Sequence, residues 1–225
     1  MSETPEQEPL PPPTTRNVLW RVIQFFMQVL FAVWFRFRAS GFENLPEGGA
    51  LLLVNHQSFL DPLLVGVALR RPVSYLARDG LFRVPVIGWI LKNTYVMPIR
   101  REAAGMSSIR ESIRRLDHGF YVGVFPEGTR TQDGKLGHLK PGFQLICRRA
   151  NVPIIPVGIS GAFEAMPKGS WWIRPHCIRV VYGEPISREQ VTELCVKPRE
   201  EEFLQLIRDR MEDALERAQR ACESK

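Results

Sequence analysis

Ala50-Leu51-Leu52-Leu53-Val54, running straight into Asn55-His56-Gln57-Ser58-Phe59-Leu60-Asp61, is the stretch that decides the fold. A short, uninterrupted apolar run reads as a buried strand. The polar segment after it ends at Asp61-Pro62, and residues 61–69 then carry a helical pattern. Strand, polar turn and helix make one unit, and the unit recurs. Further strand-like runs at 73–77, 94–97, 121–125, 154–159 and 177–182 alternate with helical patterns at 80–91, 103–116 and 142–150. This alternation predicts an α/β fold, a mostly parallel central sheet flanked by helices. Residues 200–218 form a last helix with Leu204, Ile207, Met211, Leu215 and Ala218 on one stripe. It is expected to pack on the core, a partner helix being the alternative.

Polar segments follow four of the strands directly. His56 follows the run at 51–54, Arg100 and Arg101 the run at 94–97, Glu127 and Arg130 the run at 122–125, and Ser160 the run at 154–159. Ligands of open α/β sheets gather at the carboxyl ends of the strands. If the strands are parallel, these loops share one rim, and their convergence says more than any single motif.

The residues at that rim have definite chemistry. A histidine titrates near ~6.5 when unperturbed and accepts a proton at neutral pH. Asp61 is placed to take a hydrogen bond from one ring nitrogen, leaving the other as the base. Asp-Pro before an apolar run is equally a helix N-cap with proline at the first helical position, and both roles are compatible. Phe125-Pro126-Glu127-Gly128-Thr129-Arg130 suits a phosphate, through the Arg130 guanidinium and the amides near Gly128. Glu127 is unusual in an anion site and is expected to hold Arg130 or a substrate hydroxyl. The alternative is a surface turn with a weak ion pair. Lys140, before Pro141-Gly142, and the pair Arg100-Arg101 are cations that solvent would also accommodate.

Several classes are disfavoured. Gly158-Ile159-Ser160-Gly161 lacks the spacing of a serine nucleophile elbow, and no phosphate-binding Gly-rich loop ending in lysine is present. The four cysteines and four histidines are scattered, so neither a metal cluster nor a disulfide framework is expected. The formal charge is +6. Arginine supplies most of the cations, but they are dispersed and form no nucleic-acid motif.

Residues 1–15 are proline-rich and acidic and are expected to be a disordered tail. Residues 16–38 form a membrane-associating helical segment. Its large apolar side chains include Trp20, Phe25, Phe26, Leu30, Phe31, Trp34 and Phe35, with Arg16, Arg36 and Arg38 at its flanks. Arg21, Gln24 and Gln28 share one helical face, which argues against a lone membrane span. Residues 39–222 make the main domain.

Taken together, the segments resemble the glycerolipid acyltransferases, specifically the 1-acyl-glycerol-3-phosphate (lysophosphatidate) acyltransferase family. The resemblance lies in His56 and Asp61, in Pro98-Ile99-Arg100-Arg101, in Phe125–Arg130, in Val152–Val157 and in Gly183-Glu184-Pro185-Ile186. Arg100 departs from the acidic residue often found in the second of these blocks. The resemblance implies acyl transfer from an acyl thioester, acyl-CoA or acyl-carrier protein, to a glycerol hydroxyl, without a cofactor or metal. It makes His56 the general base and Asp61 its orienter. Arg101, Glu127, Gly128 and Arg130 would place the glycerol phosphate, with Arg100, Thr129 and Lys140 counted in the same site. The expected partners are a lysophospholipid acceptor, the thioester donor and a membrane surface, with the active site on the cytoplasmic side. Glycerol 3-phosphate, another lysolipid or an amine-bearing lipid as acceptor, or a non-catalytic lipid-binding role, are the alternatives.

Overall fold

The computed structural model describes residues 9–78, 83, 85, 88, 89, 97–99, 106–196 and 198–224. Among the described residues, seven strands form one sheet: β1 (Arg38–Ser40), β2 (Ala50–Val54), β3 (Val73–Arg78), β4 (Met97–Ile99), β5 (Tyr121–Val124), β6 (Ile154–Ser160) and β7 (Arg179–Tyr182). Their order is β1-β7-β6-β2-β5-β3-β4. Strands β2 to β6 are parallel, β7 runs antiparallel to β6, and β1 pairs with β7 in parallel. The carboxyl ends of β2 to β6 therefore lie on one rim, as the sequence predicts. Strand β1 is an addition to the prediction, and β7 starts at Arg179, later than expected.

The described helices are α1 (Val18–Phe35), α2 (Asp61–Val67), α3 (Met106–Asp117), α4 (Gln144–Arg149), the single turn α5 (Ala162–Ala165), α6 (Arg188–Leu194) and α7 (Glu200–Glu223). The pattern at 142–150 resolves into a 3₁₀ turn, Pro141–Phe143, followed by α4. The helix expected over 80–91 lies, apart from positions 83, 85, 88 and 89, outside the described residues, as do residues 94–96 of the strand expected over 94–97. The last helix reaches Glu223 and packs on the core, burying Phe203, Ile207, Met211 and Leu215.

Alternation along the central strands divides the core into two layers. Leu52, Val54, Ile155, Val157 and Ile159 face one side with Leu64, Phe31 and Phe35. Leu51, Leu53 and Ile154 face the other with Ile146, Phe203, Ile207 and Met211. A Cβ on Gly158 would lie 2.2 Å from the backbone of Ala214, so this glycine lets α7 lie directly on β6.

Helix α1 lies on the first layer and reverses the usual use of its two faces. Asn17 caps it, its Oδ1 accepting the Trp20 amide at 2.7 Å. Gln24 Nε2 donates to the carbonyls of Val67 and Leu69 at 2.9 and 2.6 Å, and Gln28 Nε2 to Val67 at 2.8 Å. Val67 ends α2 and Leu69 lies just beyond its cap, where carbonyls have no partner within the helix. Two of the three polar residues thus dock the helix, together with buried Trp20, Phe31 and Phe35. Outward it shows Phe25, Phe26, Val29, Val33 and Trp34, and it is long and apolar enough to cross a membrane. An exposed apolar face of this kind suggests membrane association. Of the tail expected to be disordered, residues 9–15 are described: Thr15 donates its amide to Pro12, and Pro13 sits beside Gly119, whose missing side chain leaves room for it.

Candidate active site

The loop after β2 is fixed before any catalytic side chain enters it. Asn55 is buried, and its side-chain amide pairs with both backbone groups of Ile159, donating to the carbonyl at 3.0 Å and accepting the amide at 2.7 Å. This extends the β2–β6 ladder by one residue and delivers His56 to the rim. Asp61 then turns back on the loop. Its Oδ2 accepts the amides of Gln57 at 2.7 Å and Ser58 at 2.8 Å and lies 2.8 Å from His56 Nδ1. The expected N-cap role is modified accordingly: α2 begins at Asp61 with Pro62 in its first turn, and the carboxylate holds the preceding loop, not the helix amides.

Asp61 is fully buried, while the His56 side chain keeps 20% of its surface exposed. Burial raises the Asp61 carboxyl above the ordinary aspartate range, opposed by its hydrogen bonds from His56, Ser58 and Gln57. With Nδ1 bonded to Asp61, His56 Nε2 has no protein partner among the described residues. That is the nitrogen that stays free to act as a base. The ring is held from below by a column of aromatics. It stacks on Phe125 at 4.1 Å between centroids, and Phe125 stacks on Tyr75 at 5.9 Å. Gly123 makes the column possible, since a Cβ there would lie 2.1 Å from the Tyr75 ring.

The loop after β5 is sewn to His56 from both sides. Glu127 Oε1 accepts the His56 amide at 2.7 Å, and Thr131 donates its own amide to the His56 carbonyl at 2.8 Å. The second Glu127 oxygen accepts the Gly137 amide at 2.8 Å. This corrects the expectation that Glu127 holds Arg130 or a substrate hydroxyl. The side chain is buried, and both oxygens are engaged with backbone groups. Burial raises its carboxyl, partly offset by those two amides. Glu127→Gln would set an NH₂ against one of the two N–H donors. It should cost about 1–3 kcal/mol and lower the melting temperature by several degrees, with turnover falling as His56 loosens. Unchanged melting in a calorimetric scan would remove this role.

Around that frame the cations gather. Gly128 adopts φ +66°, the left-handed region, and a Cβ there would come within 3.1 Å of Lys140 Nζ. Lys140 is tied in by its own amide, which donates to the Pro126 carbonyl at 2.8 Å. Arg130 is half-buried and has no side-chain partner among the described residues. Thr129 is exposed, and its Oγ1 accepts Lys168 Nζ at 3.3 Å. Lys168 was not expected from the sequence, and a lysine in an irregular loop carried no signal that would single it out. Arg100 and Arg101, which follow β4 in sequence, lie outside the described residues. His56, Asp61, Glu127, Gly128, Thr129, Arg130 and Lys140 are thus brought together. Ser160 is buried at the end of β6 and is used in the sheet.

A base, its buried orienter and an adjoining cationic loop on one rim suit acyl or proton transfer on a phosphorylated alcohol. The family model described as Acyltransferase matches residues 36–160, a span that takes in His56, Asp61, Arg130 and Lys140. The chain belongs to the acyltransferase family. The chain is 30% identical to the 1-acyl-sn-glycerol-3-phosphate acyltransferase of Bacillus subtilis, over 76% of this chain and 84% of that one. It is 32% identical to a chloroplastic 1-acyl-sn-glycerol-3-phosphate acyltransferase of Arabidopsis thaliana, over 74% of this chain and 48% of that one. The chain spans about half the length of that plant relative and of a similar one from Brassica napus. Its fold is similar to the crystal structure of the 1-acyl-sn-glycerophosphate acyltransferase of Thermotoga maritima, with a TM-score of 0.73 and 26% identity, covering 89% of this chain and 79% of that one.

Proposed function

We propose that this acyltransferase moves a fatty acyl group from an acyl thioester to the free hydroxyl of 1-acyl-glycerol 3-phosphate, forming phosphatidate. The carrying observation is the His56–Asp61 pair, free at Nε2, hydrogen-bonded through its own backbone to the loop that bears Arg130. The acceptor named for the relatives supports the choice of substrate. His56 Nε2 takes the proton of the acceptor hydroxyl as its oxygen attacks the thioester carbonyl. The tetrahedral intermediate then collapses, the carbon–sulfur bond breaks, and the departing thiolate takes the proton back from Nε2. No acyl-enzyme forms, and Asp61 stabilises the imidazolium between the two proton transfers.

The Gly128 amide donates to the Phe125 carbonyl at 3.0 Å and closes the turn, so the phosphate is held by Arg130 with Lys140, and Thr129 and Lys168 border it. By resemblance Arg101 joins them, and Arg100 with it. Glu127 acts through the backbone of His56 as a positioning residue. Arg130→Lys should raise KM for lysophosphatidate roughly tenfold with a smaller change in kcat, because the planar fork that grips phosphate is lost. Wild-type KM in the lysine variant, measured by initial rates, would remove the bidentate contact.

The membrane supplies the acceptor, and the outer face of α1 is the surface that meets it, on the cytoplasmic side. The test is a mass-spectrometric acyltransfer assay on purified protein with lysophosphatidate and glycerol 3-phosphate competing, and both acyl-CoA and acyl-carrier protein as donors. Phosphatidate from lysophosphatidate is the expected product. Acylation of glycerol 3-phosphate instead would change the acceptor, and no product at all from folded protein would favour a lipid-binding role.

A further inference from the structure

We infer that the loop between α5 and β7 is a second bilayer-contacting element, standing beside the carboxyl end of α1 and fitted to the headgroup layer of an anionic leaflet. The inference rests on the membrane reading of α1 given above. The loop carries Lys168-Gly169-Ser170-Trp171-Trp172-Ile173-Arg174. Trp171 is 84% exposed, Trp172 59% and Ile173 39%. Three consecutive apolar side chains at such exposure are a liability on a surface that meets only water.

Their placement and chemistry point to lipid. The two indoles meet edge to face at 5.8 Å, and tryptophan is the side chain enriched where hydrocarbon meets headgroups. Lys168 and Arg174 bracket them, and basic residues beside an apolar anchor favour an anionic surface. The loop is also pre-ordered, so little is lost in fixing it on a membrane. Arg174 donates its amide to the Ala165 carbonyl at 2.8 Å and closes the neck. Inside it Ser170 donates its amide to Pro167 at 3.1 Å, and Trp172 donates its own to Ser170 Oγ at 3.1 Å.

Both ends of the loop are anchored to functional parts. At its start, Ser58 Oγ donates to the Met166 carbonyl at 2.8 Å, which ties it to the loop bearing His56. Lys168 reaches Thr129 on the phosphate loop. At its end, Ile178 donates its amide to the carbonyl of Phe35, the last residue of α1, at 3.0 Å. Trp34, 44% exposed, is the neighbouring residue on that helix. The loop that carries the apolar tip therefore begins beside the site and ends against the last residue of α1. A bilayer touching both elements would present its headgroups to the cationic rim.

The test uses the full-length protein and phosphatidylcholine vesicles containing phosphatidylglycerol. Trp171→Ala/Trp172→Ala should weaken partition about tenfold or more, the effect expected from taking two half-buried indoles out of the interface. Turnover of a short-chain, water-soluble lysophosphatidate with a short-chain thioester should stay at the wild-type value, while turnover of vesicle-borne lysophosphatidate falls with the partition. Unchanged partition of the folded double variant overturns the inference. So does a fall in turnover of the soluble substrate with partition intact, which would make the loop part of the substrate site. Partition is read without activity, so failure of wild type to acylate lysophosphatidate would strike the proposed reaction and leave the loop to be judged on binding. If wild type does not bind the vesicles, the roles of α1 and of the loop fall together.

Discussion

Replacing His56 by alanine should lower kcat for acyl transfer by at least ~10² and leave the fold intact. The size follows from the reaction. An alcohol proton is far too weakly acidic to leave unaided near neutral pH, so the attacking oxygen needs a base within hydrogen-bond reach. His56 Nε2 is the nitrogen in this site that is free to serve, because Nδ1 is committed to Asp61. The fold should survive because His56 is held by its backbone. Glu127 takes its amide and Thr131 donates to its carbonyl, and neither bond involves the imidazole. Asp61 keeps the amides of Gln57 and Ser58 in the variant. Single-turnover measurement beside a melting curve checks both halves. Near-normal turnover from a folded His56→Ala protein would remove the base assignment and with it the proposed mechanism.

How far the sequence could foresee this site depends on the distance along the chain over which each contact acts. The His56–Asp61 pair spans a single turn, so spacing alone brings the two side chains together. The rim was legible because each polar segment follows an apolar strand in a repeating pattern. Glu127 is the contrary case. Its partners are the amides of His56 and Gly137, and the first belongs to another loop. Three residues before Arg130, it reads from the sequence as a residue that holds Arg130 or a substrate hydroxyl. Burial is what decides its role, because a buried carboxylate needs donors and the nearest ones are backbone amides.

Lys168 shows the same limit, since the fold alone brings it to Thr129. The short strand Arg38–Ser40 carries no apolar alternation and owes its place to pairing with β7. For α1 the sequence separated the two faces correctly, but the direction of the polar one needed the structure. Gln24 and Gln28 complete the end of α2, so truncating the helix would strip the core of Phe31 and Phe35 as well as removing a membrane contact. Substitution of exposed Phe25 and Phe26 by serine separates those effects, since neither side chain is buried.

Asp61→Asn should lower kcat by ~10², well short of the ~10⁴ that follows when such a substitution inverts the imidazole tautomer. The difference lies in which oxygen is used. The His56 nitrogen and the amides of Gln57 and Ser58 all converge on Oδ2, while Oδ1 is buried with no hydrogen-bond partner among the described residues. Asparagine can place its carbonyl oxygen at Oδ2 and its NH₂ at the empty Oδ1 position. The Nδ1–H tautomer then survives, and what is lost is the charge that stabilises the imidazolium. Stability should move little or rise. Burial raises the Asp61 carboxyl, so the proton is bound more tightly in the folded chain than in the unfolded one. The stability this lends is complete below the ordinary aspartate value of ~3.9 and is lost as pH climbs through the folded value. At neutral pH the charged form is thus a burden that the amide removes. The unpartnered NH₂ opposes this by about 1–3 kcal/mol. Asp61→Ala lacks any acceptor for the Gln57 and Ser58 amides, so it should melt well below both. A melting series at neutral pH, read against kcat, separates the roles. A loss near ~10⁴ in Asp61→Asn would mean that the ring has flipped, and wild-type turnover would mean that the carboxylate holds the loop and contributes nothing to the proton transfer.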